Sequence, residues 1–150
     1  MAYLFETHVT VSDLDRSMAF YRDVVGLELA NLQRQRGVAF FWIGEPGQSV
    51  VGLWAAGASP NIMKLHFAIR CELETVLAAP TTLRAAGIVP LDPFRRPVSE
   101  PSVIPWLPAA SVFFEDPDGH LLEYLALLRH KPEPAAAIAA YSEWVAARTA

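Results

Sequence analysis

Three side chains that favour divalent transition metals stand inside apolar, strand-like stretches of this sequence: His8, His66 and Glu123. Two imidazoles and one carboxylate, with coordination positions left open, suit Fe(II) and also Mn, Co, Ni or Zn. The three are far apart in the chain, and a single histidine in a strand is more often a hydrogen-bonded core residue than a ligand. Spacing alone therefore does not decide between the two interpretations.

The stretch that carries Glu123 has the pattern of a β-hairpin. The sequence Asp-Pro-Asp-Gly at 116–119 favours a turn, because proline presets φ at an early position and glycine tolerates positive φ at a late one. Its apolar flanks predict strands over 111–115 and 121–127. A carboxylate inside such a strand must be paired, hydrogen-bonded or bound to a metal. Glu123 is therefore expected to have a specific partner.

The elements that position these residues begin with a β-α-β-β-β pattern in the first half. An alternating, β-branched stretch predicts a strand around His8. Ser12 or Asp13 can cap the amphipathic helix that follows. Alternation and turn residues then predict three more strands, at 27–33, 38–43 and 49–55.

The second half repeats that order. It predicts a strand at 64–70 around His66, then a helix through Ala86 that Pro80 must kink, break or restart. A short strand at 88–91 and the hairpin complete the unit. An internal repeat places His8 and His66 in equivalent positions, which favours the metal interpretation.

Two stretches lie outside the repeat. The segment 92–110 contains five prolines, which predicts a long irregular loop that is either a substrate lid or a surface excursion or dimer contact. After Pro134, an alanine-rich run to Ala147 predicts a C-terminal helix, with Ile138, Tyr141 and Val145 near one face. We therefore expect a single domain over 1–130 and a helical extension over 131–150.

The composition excludes several classes of protein. With 53% hydrophobic and 19% charged residues, the 150-residue chain can bury a core, and its net charge of −4 argues against a nucleic-acid surface. No apolar run approaches the roughly 18 residues of a membrane-spanning helix, and the N-terminus lacks a signal-peptide pattern. Cys71 is the only cysteine, which excludes an internal disulfide and favours a reducing, cytoplasmic setting.

The chain resembles the vicinal oxygen chelate superfamily, which contains glyoxalase I, fosfomycin-resistance proteins, extradiol dioxygenases and bleomycin-binding proteins. The resemblance covers about residues 3–128, and its motifs are THVTVSDL at 7–14, AFYRDVVGL at 19–27, LHFA at 65–68 and FEDPDGHLLE at 114–123. It implies an α+β fold in which two βαβββ modules, over about 4–56 and 63–128, form a cupped, barrel-like mixed β-sheet with the helices outside. It also implies one divalent metal ion on His8, His66 and Glu123, a small-molecule substrate and a homodimer.

Residues that differ from those of individual branches of the superfamily reduce the number of candidate activities. Glyoxalase I resemblance requires a fourth ligand, a glutamate, where this chain has Gly52. The three-ligand pattern is more similar to the fosfomycin-resistance and extradiol-dioxygenase branches. Thr10 matches a threonine of the fosfomycin site, and Ser111 falls where a phosphonate-contacting serine is expected. However, Phe113 replaces the tyrosine of that branch.

Further substrate contacts follow from the resemblance and from strand alternation. The proline-rich segment replaces the basic loop of the fosfomycin branch and leaves Arg95 or Arg96 to hold an anion. Alternation places Thr10 on the ligand face, and Gly52 and Trp54 on the last strand of the first module, where Trp54 is either pocket wall or core. A mostly apolar pocket suits a small aromatic or aliphatic molecule with adjacent oxygens.

We therefore expect a metal-dependent enzyme of lyase, isomerase, dioxygenase or transferase type, in which the ion chelates two oxygens and stabilises oxyanion charge. Two alternatives stay open. One is a metal-free, bleomycin-resistance-like sequestering protein, against which the retained triad argues. The other is a fosfomycin-resistance-like transferase or hydrolase, against which Phe113 and the altered loop argue. No general base is identified, and His120, which points away from Glu123 by alternation, is interpreted as structural.

Overall fold

The computed structural model describes residues 4–58 and 63–149, which divide into two compact units. The first unit comprises the chain up to Leu65 together with the turn Asp116–His120, and the second comprises the rest. Within the described residues, each unit is built on one mixed β-sheet, of four strands in the first and five in the second. The expected α+β fold with two β-α-β-β-β modules is confirmed.

The first unit has the predicted element order. Its elements are β1 Glu6–Val11, α1 Leu14–Asp23, β2 Leu29–Gln33, β3 Val38–Ile43 and β4 Ser49–Ala55. The sheet order is β1-β4-β3-β2, with β1 and β4 parallel and the other pairs antiparallel. Asp13 caps α1 by accepting a hydrogen bond from the Arg16 backbone N–H at 3.0 Å. Alternation in β1 buries Val9 and Val11 and leaves His8 on the opposite face.

The second unit contains the hairpin and the C-terminal segment. Its elements are β5 His66–Arg70, α2 Leu73–Ala85, β6 Ser102–Ile104, β7 Ala109–Glu115, β8 Leu121–Leu127, β9 Ala139–Ala140 and α3 Tyr141–Thr149. The sheet order is β5-β8-β7-β6-β9, in which β5 and β8 are parallel and the predicted hairpin of β7 and β8 is antiparallel. No helix among the described residues has the length and apolarity needed to cross a membrane.

Two predictions for the proline-rich segment are wrong. The segment 92–110 is not irregular throughout, because it contains β6 and the start of β7. The predicted strand at 88–91 is reduced to isolated bridges from Leu91 to Pro97 and Phe113. The physical reason is that three residues free of proline, between Pro101 and Pro105, suffice to pair with β7.

The start of the proline-rich segment is fixed by Asp92. Its Oδ1 accepts hydrogen bonds from the backbone N–H groups of Phe94 (2.8 Å) and Arg96 (2.9 Å), and its Oδ2 accepts from the Arg96 guanidinium. Burial alone would raise the pKa of Asp92, but these hydrogen bonds and the adjacent guanidinium lower it below the ordinary value. The segment is therefore an ordered part of the second unit.

Two helices differ from the sequence prediction. Helix α2 continues through Pro80, which is buried together with Val76 and Leu83. Packing on this face stabilises the helical turns before and after Pro80, although proline has no backbone N–H to donate. Helix α3 begins at Tyr141, later than predicted, and Ile138 lies outside it. The alanine-rich run before it contains a turn, in which the Ala136 N–H donates to the Glu133 carbonyl, and then the short strand Ala139–Ala140, which pairs with β6. Tertiary pairing here overrides the helix propensity of alanine.

The turn between β7 and β8 is built by its own side chains. Asp116 Oδ1 accepts hydrogen bonds from the backbone N–H groups of Asp118 (2.9 Å) and His120 (2.8 Å), and Gly119 has the positive φ of 80° that the turn requires. Asp116 Oδ2 accepts from the Tyr21 hydroxyl at 3.2 Å, and Asp118 pairs with Arg16 at 3.1 Å. These contacts join the turn to helix α1 within the first unit.

His120 completes this arrangement and has the predicted structural role. The side chain is fully buried. Its Nδ1 accepts a hydrogen bond from the Leu65 backbone N–H at 3.1 Å, and its Nε2 donates to the Thr10 carbonyl at 2.6 Å. Both ring nitrogens are therefore satisfied by the backbone of the first unit.

Replacing His120 with alanine is expected to destabilise the protein by about 2–4 kcal/mol, because the change leaves a buried N–H and carbonyl unpaired and opens a cavity. Urea unfolding measures this loss. His8→Ala is the matched control, since that imidazole is 46% exposed and its removal should change stability by no more than about 0.5 kcal/mol. Equal losses in the two variants would contradict the assigned role of His120.

Candidate metal centre

His66 and Glu123 are brought together by the parallel pairing of β5 and β8. His66 begins β5 opposite Leu121, and Glu123 lies two residues further along β8, so the side chains share one face of the sheet. The distance between His66 Nε2 and Glu123 Oε2 is 3.4 Å. The structure thus places two of the three predicted metal ligands side by side.

The proton on His66 is assigned by the other ring nitrogen. His66 Nδ1 lies 2.9 Å from the Leu121 carbonyl oxygen, which can only accept, so Nδ1 carries the hydrogen. In the neutral imidazole, Nε2 is then an acceptor and faces the carboxylate of Glu123, which is also an acceptor when ionised. A backbone carbonyl that fixes the tautomer in this way is the usual support of a metal-binding histidine.

Glu123 is buried in surroundings that leave its carboxylate without enough hydrogen-bond donors. The residue is 4% exposed. Burial raises the pKa of its carboxyl group, and the nearby Ser111 hydroxyl and His66 act in the opposite direction without outweighing burial. Neither Glu123 Oε1 nor Ser111 Oγ makes a hydrogen bond of ordinary geometry to any described residue. A cation bound to the carboxylate would resolve this mismatch, so the residues present fit a metal ion.

An apolar cluster borders this pair on the same sheet. Its buried members are Leu91, Ile104 and Phe113, with the partly buried Leu107 and Leu121 packed against them. The ring of Phe113 lies 5.9 Å from that of His66. The predicted substrate residue Phe113 is therefore beside the candidate ligand His66. Leu91, Ile104 and Leu107 were not predicted from the sequence, because the prolines of segment 92–110 indicated an irregular loop where the structure has strand β6.

The first unit holds His8 over Gly52. These residues are paired between β1 and β4, and a Cβ at position 52 would lie 2.6 Å from His8 Cδ2. A side chain at this position, including the glutamate of glyoxalase I, would displace the ring from where it stands. The His8 ring also contacts Phe40 and Trp54, at centroid distances of 6.0 Å and 5.5 Å.

His8 has its own carboxylate partner in this unit. Its Nε2 lies 2.8 Å from Glu6 Oε1, and both side chains are nearly half exposed. Binding a metal through Nε2 therefore requires exchange of Glu6 for the ion. Among residues 4–58 and 63–149, no three His, Cys, Asp or Glu side chains gather into a metal-sized group, and the pair that is assembled is His66–Glu123.

The remaining predicted substrate residues fall into two groups. Thr10 lies on the His8 face of β1, and Trp54 lies beside His8 under the Arg36 guanidinium, with its indole N–H buried and without a hydrogen-bond partner among the described residues. Arg95 and Arg96 are instead already ion-paired, with Glu115 and Asp92. Both guanidiniums would have to leave a carboxylate in order to bind an anionic substrate.

The fold agrees with the comparison to known proteins. The family model of the Glyoxalase/Bleomycin resistance protein/Dioxygenase superfamily matches residues 4–124. The chain belongs to this superfamily. No curated protein matches the sequence significantly.

Solved structures of this fold align along most of the chain. An integron cassette protein from the mobile metagenome of the Halifax Harbour sewage outfall is 30% identical over 85% of this chain and 100% of its own, with a TM-score of 0.71. A glyoxalase/bleomycin resistance protein/dioxygenase from Nocardioides is 25% identical over 91% of both chains, with a TM-score of 0.64. Lactoylglutathione lyase from Agrobacterium tumefaciens, at 24% identity over 84% of this chain and 94% of its own, shares the fold with a TM-score of 0.66.

The buried carboxyl group of Glu123 predicts a specific dependence of stability on pH. Because the folded pKa is raised, the folded protein binds this proton more tightly than the unfolded chain. Its contribution to stability is present below the unfolded pKa of about 4.3 and is lost as pH rises through the folded value. Glu123→Gln removes that loss, so the metal-free variant should be more stable than the parent at pH 7.

Urea unfolding of metal-free protein between pH 4 and pH 7 tests this expectation, and the advantage of Glu123→Gln should shrink toward pH 4. The buried Asp116, whose pKa is also raised by burial, is present in both proteins and cancels in the difference. Glu115→Gln, which changes an exposed carboxylate of the same hairpin, is the control and should show no such gain. A Glu123→Gln variant that loses stability at pH 7 would contradict the account.

Proposed function

We propose that the protein is a divalent-metal-dependent enzyme that acts on a small oxygen-bearing substrate, with His8, His66 and Glu123 as the ligands of one Fe, Mn, Ni, Co or Zn ion. The observation that carries the proposal is the acceptor pair at 3.4 Å, His66 Nε2 and Glu123 Oε2, with Glu123 Oε1 unsatisfied beside it. His8 is included because it has the same place in the first module as His66 has in the second, at the strand that precedes the helix.

The chain's own residues have distinct tasks in this function. The Leu121 carbonyl orients His66, and the buried Glu123 supplies the negative charge. The apolar cluster around Phe113 excludes water and accepts an aliphatic or aromatic part of the substrate. A bound ion would act as a Lewis acid that stabilises negative charge developing on substrate oxygens.

The oligomeric state and setting are part of the same proposal. Membership of the superfamily supports a homodimer and a small-molecule ligand. The single cysteine, Cys71, which is a free thiol, supports a reducing, cytoplasmic setting.

Titration with Co²⁺, followed by absorbance and calorimetry, tests the ligand assignment. Changing a residue that only supports a metal ligand weakens metal binding by about 10- to 100-fold. Removing a ligand itself, in His8→Ala, His66→Ala or Glu123→Gln, should therefore weaken Co²⁺ binding by more than about 100-fold. Glu115→Gln should bind as the parent does, and circular dichroism should show every variant folded.

Two outcomes would contradict the proposal. A parent protein that binds no divalent ion would favour a metal-free sequestering protein. Unchanged affinity in Glu123→Gln would place the metal elsewhere. Unchanged affinity in His8→Ala alone would remove His8 from the ligand set and leave the His66–Glu123 pair in place.

A further inference from the structure

A cleft of about 480 Å³ lies at the C-terminal ends of the parallel strands β5 and β8. It is lined by the end of β5 and the start of α2, by the end of β8 and the two residues after it, and by Trp144 of α3. His66 begins β5 and Arg70 ends it, so the cleft is about 13 Å along the strand from the metal candidates, at roughly 3.3 Å per residue. The family model ends at residue 124, so much of the cleft comes from a part of the chain beyond that match.

Two arginines on this cleft have no partner within the described part of the chain. Every other arginine makes an ion pair or a side-chain hydrogen bond. Arg70 and Arg129 line the cleft and form none among residues 4–58 and 63–149. An acidic side chain, Glu72, also lines it, so the cleft retains one positive charge in excess. Charged groups that the fold leaves unpaired beside a concavity favour an anionic ligand.

The indole of Trp144 adds an aromatic ring to the lining of the cleft. Its Nε1 is buried and has no hydrogen-bond partner among the described residues. Two side chains pack against the ring: the His130 ring lies at a centroid distance of 4.8 Å, and the Arg148 guanidinium lies 4.2 Å from the indole centroid. The indole therefore offers an ordered apolar surface to a ligand in the cleft.

The rest of the lining is apolar. Leu73, Ala126, Leu127 and Leu128 border the two arginines. Glu72, at the N-cap of α2, makes no side-chain capping hydrogen bond, so the first-turn N–H groups that border the cleft are not capped by it. A ligand that satisfies all these groups has an anionic head for the guanidiniums and an apolar body for the leucines and the indole.

We propose that this cleft binds a small organic carboxylate, with its carboxylate on Arg70 and Arg129 and its apolar body against Trp144, Leu127 and Leu128. The planar carboxylate matches the fork of donors on a guanidinium, and the aromatic face accommodates a ring or short acyl chain. The site is separate from the candidate metal centre and stands independently of the proposed function.

Benzoate is the probe, titrated into the metal-free 150-residue chain and followed by the indole N–H signals in ¹H–¹⁵N spectra. The chain has four tryptophans, and Trp144→Phe identifies the Trp144 signal by its loss. We expect this signal to shift with benzoate in a saturable way. Arg129→Gln and Arg70→Gln should each weaken binding by about tenfold.

Arg22→Gln is the matched control, because Arg22 pairs with Asp23 on α1 of the first unit. This variant should bind benzoate with the affinity of the parent protein. A Trp144 signal that does not move, or that moves with equal affinity in all variants, would overturn the proposal. Inorganic phosphate is titrated in parallel. Phosphate binding as tight as that of benzoate, and unaffected by Trp144→Phe, would overturn the assignment to a carboxylate with an apolar body.

Discussion

The contact between His66 Nε2 and Glu123 Oε2 is the constraint on which the second unit depends. In the neutral imidazole, the Leu121 carbonyl holds the hydrogen on Nδ1 and leaves Nε2 with none to donate to the carboxylate, and burial keeps water away from Glu123. An ionised carboxylate in such surroundings loses its hydration without gaining enough hydrogen bonds or opposite charge in return, and the pKa of Glu123 is raised for this reason. The buried, unpaired carboxylate thus lowers the stability of the fold, and a bound cation would offset that cost. Perturbed ionisable groups of this kind are typical of functional sites.

The rest of the fold holds this pair in register. Parallel pairing of β5 and β8 sets the two side chains on one face, and the hairpin of β7 and β8 brings Ser111 and Phe113 beside them. The turn before β8 is held in place by hydrogen bonds within the first unit, which Asp116 and His120 make with Tyr21, Leu65 and Thr10. The DPDGH sequence therefore acts on Glu123 indirectly, by fixing where its strand begins.

The sequence predicted those parts of the fold that depend on local patterns. The hairpin, the caps and the β-α-β-β-β order of the first unit follow from turn residues and alternation. Strands β6 and β9 did not follow, because both are specified by pairing with distant strands and oppose the local composition. The ligand candidates could be named from residue type, whereas the orienting contact to the Leu121 carbonyl and the apolar cluster required coordinates.

Anomalous diffraction from Zn²⁺-loaded crystals tests the central claim most directly. We expect an ion about 2.0–2.2 Å from His66 Nε2 and from a carboxylate oxygen of Glu123, with His66 Nδ1 still hydrogen-bonded to the Leu121 carbonyl. An ion bound without Glu123, or at a different part of the molecule, would contradict it.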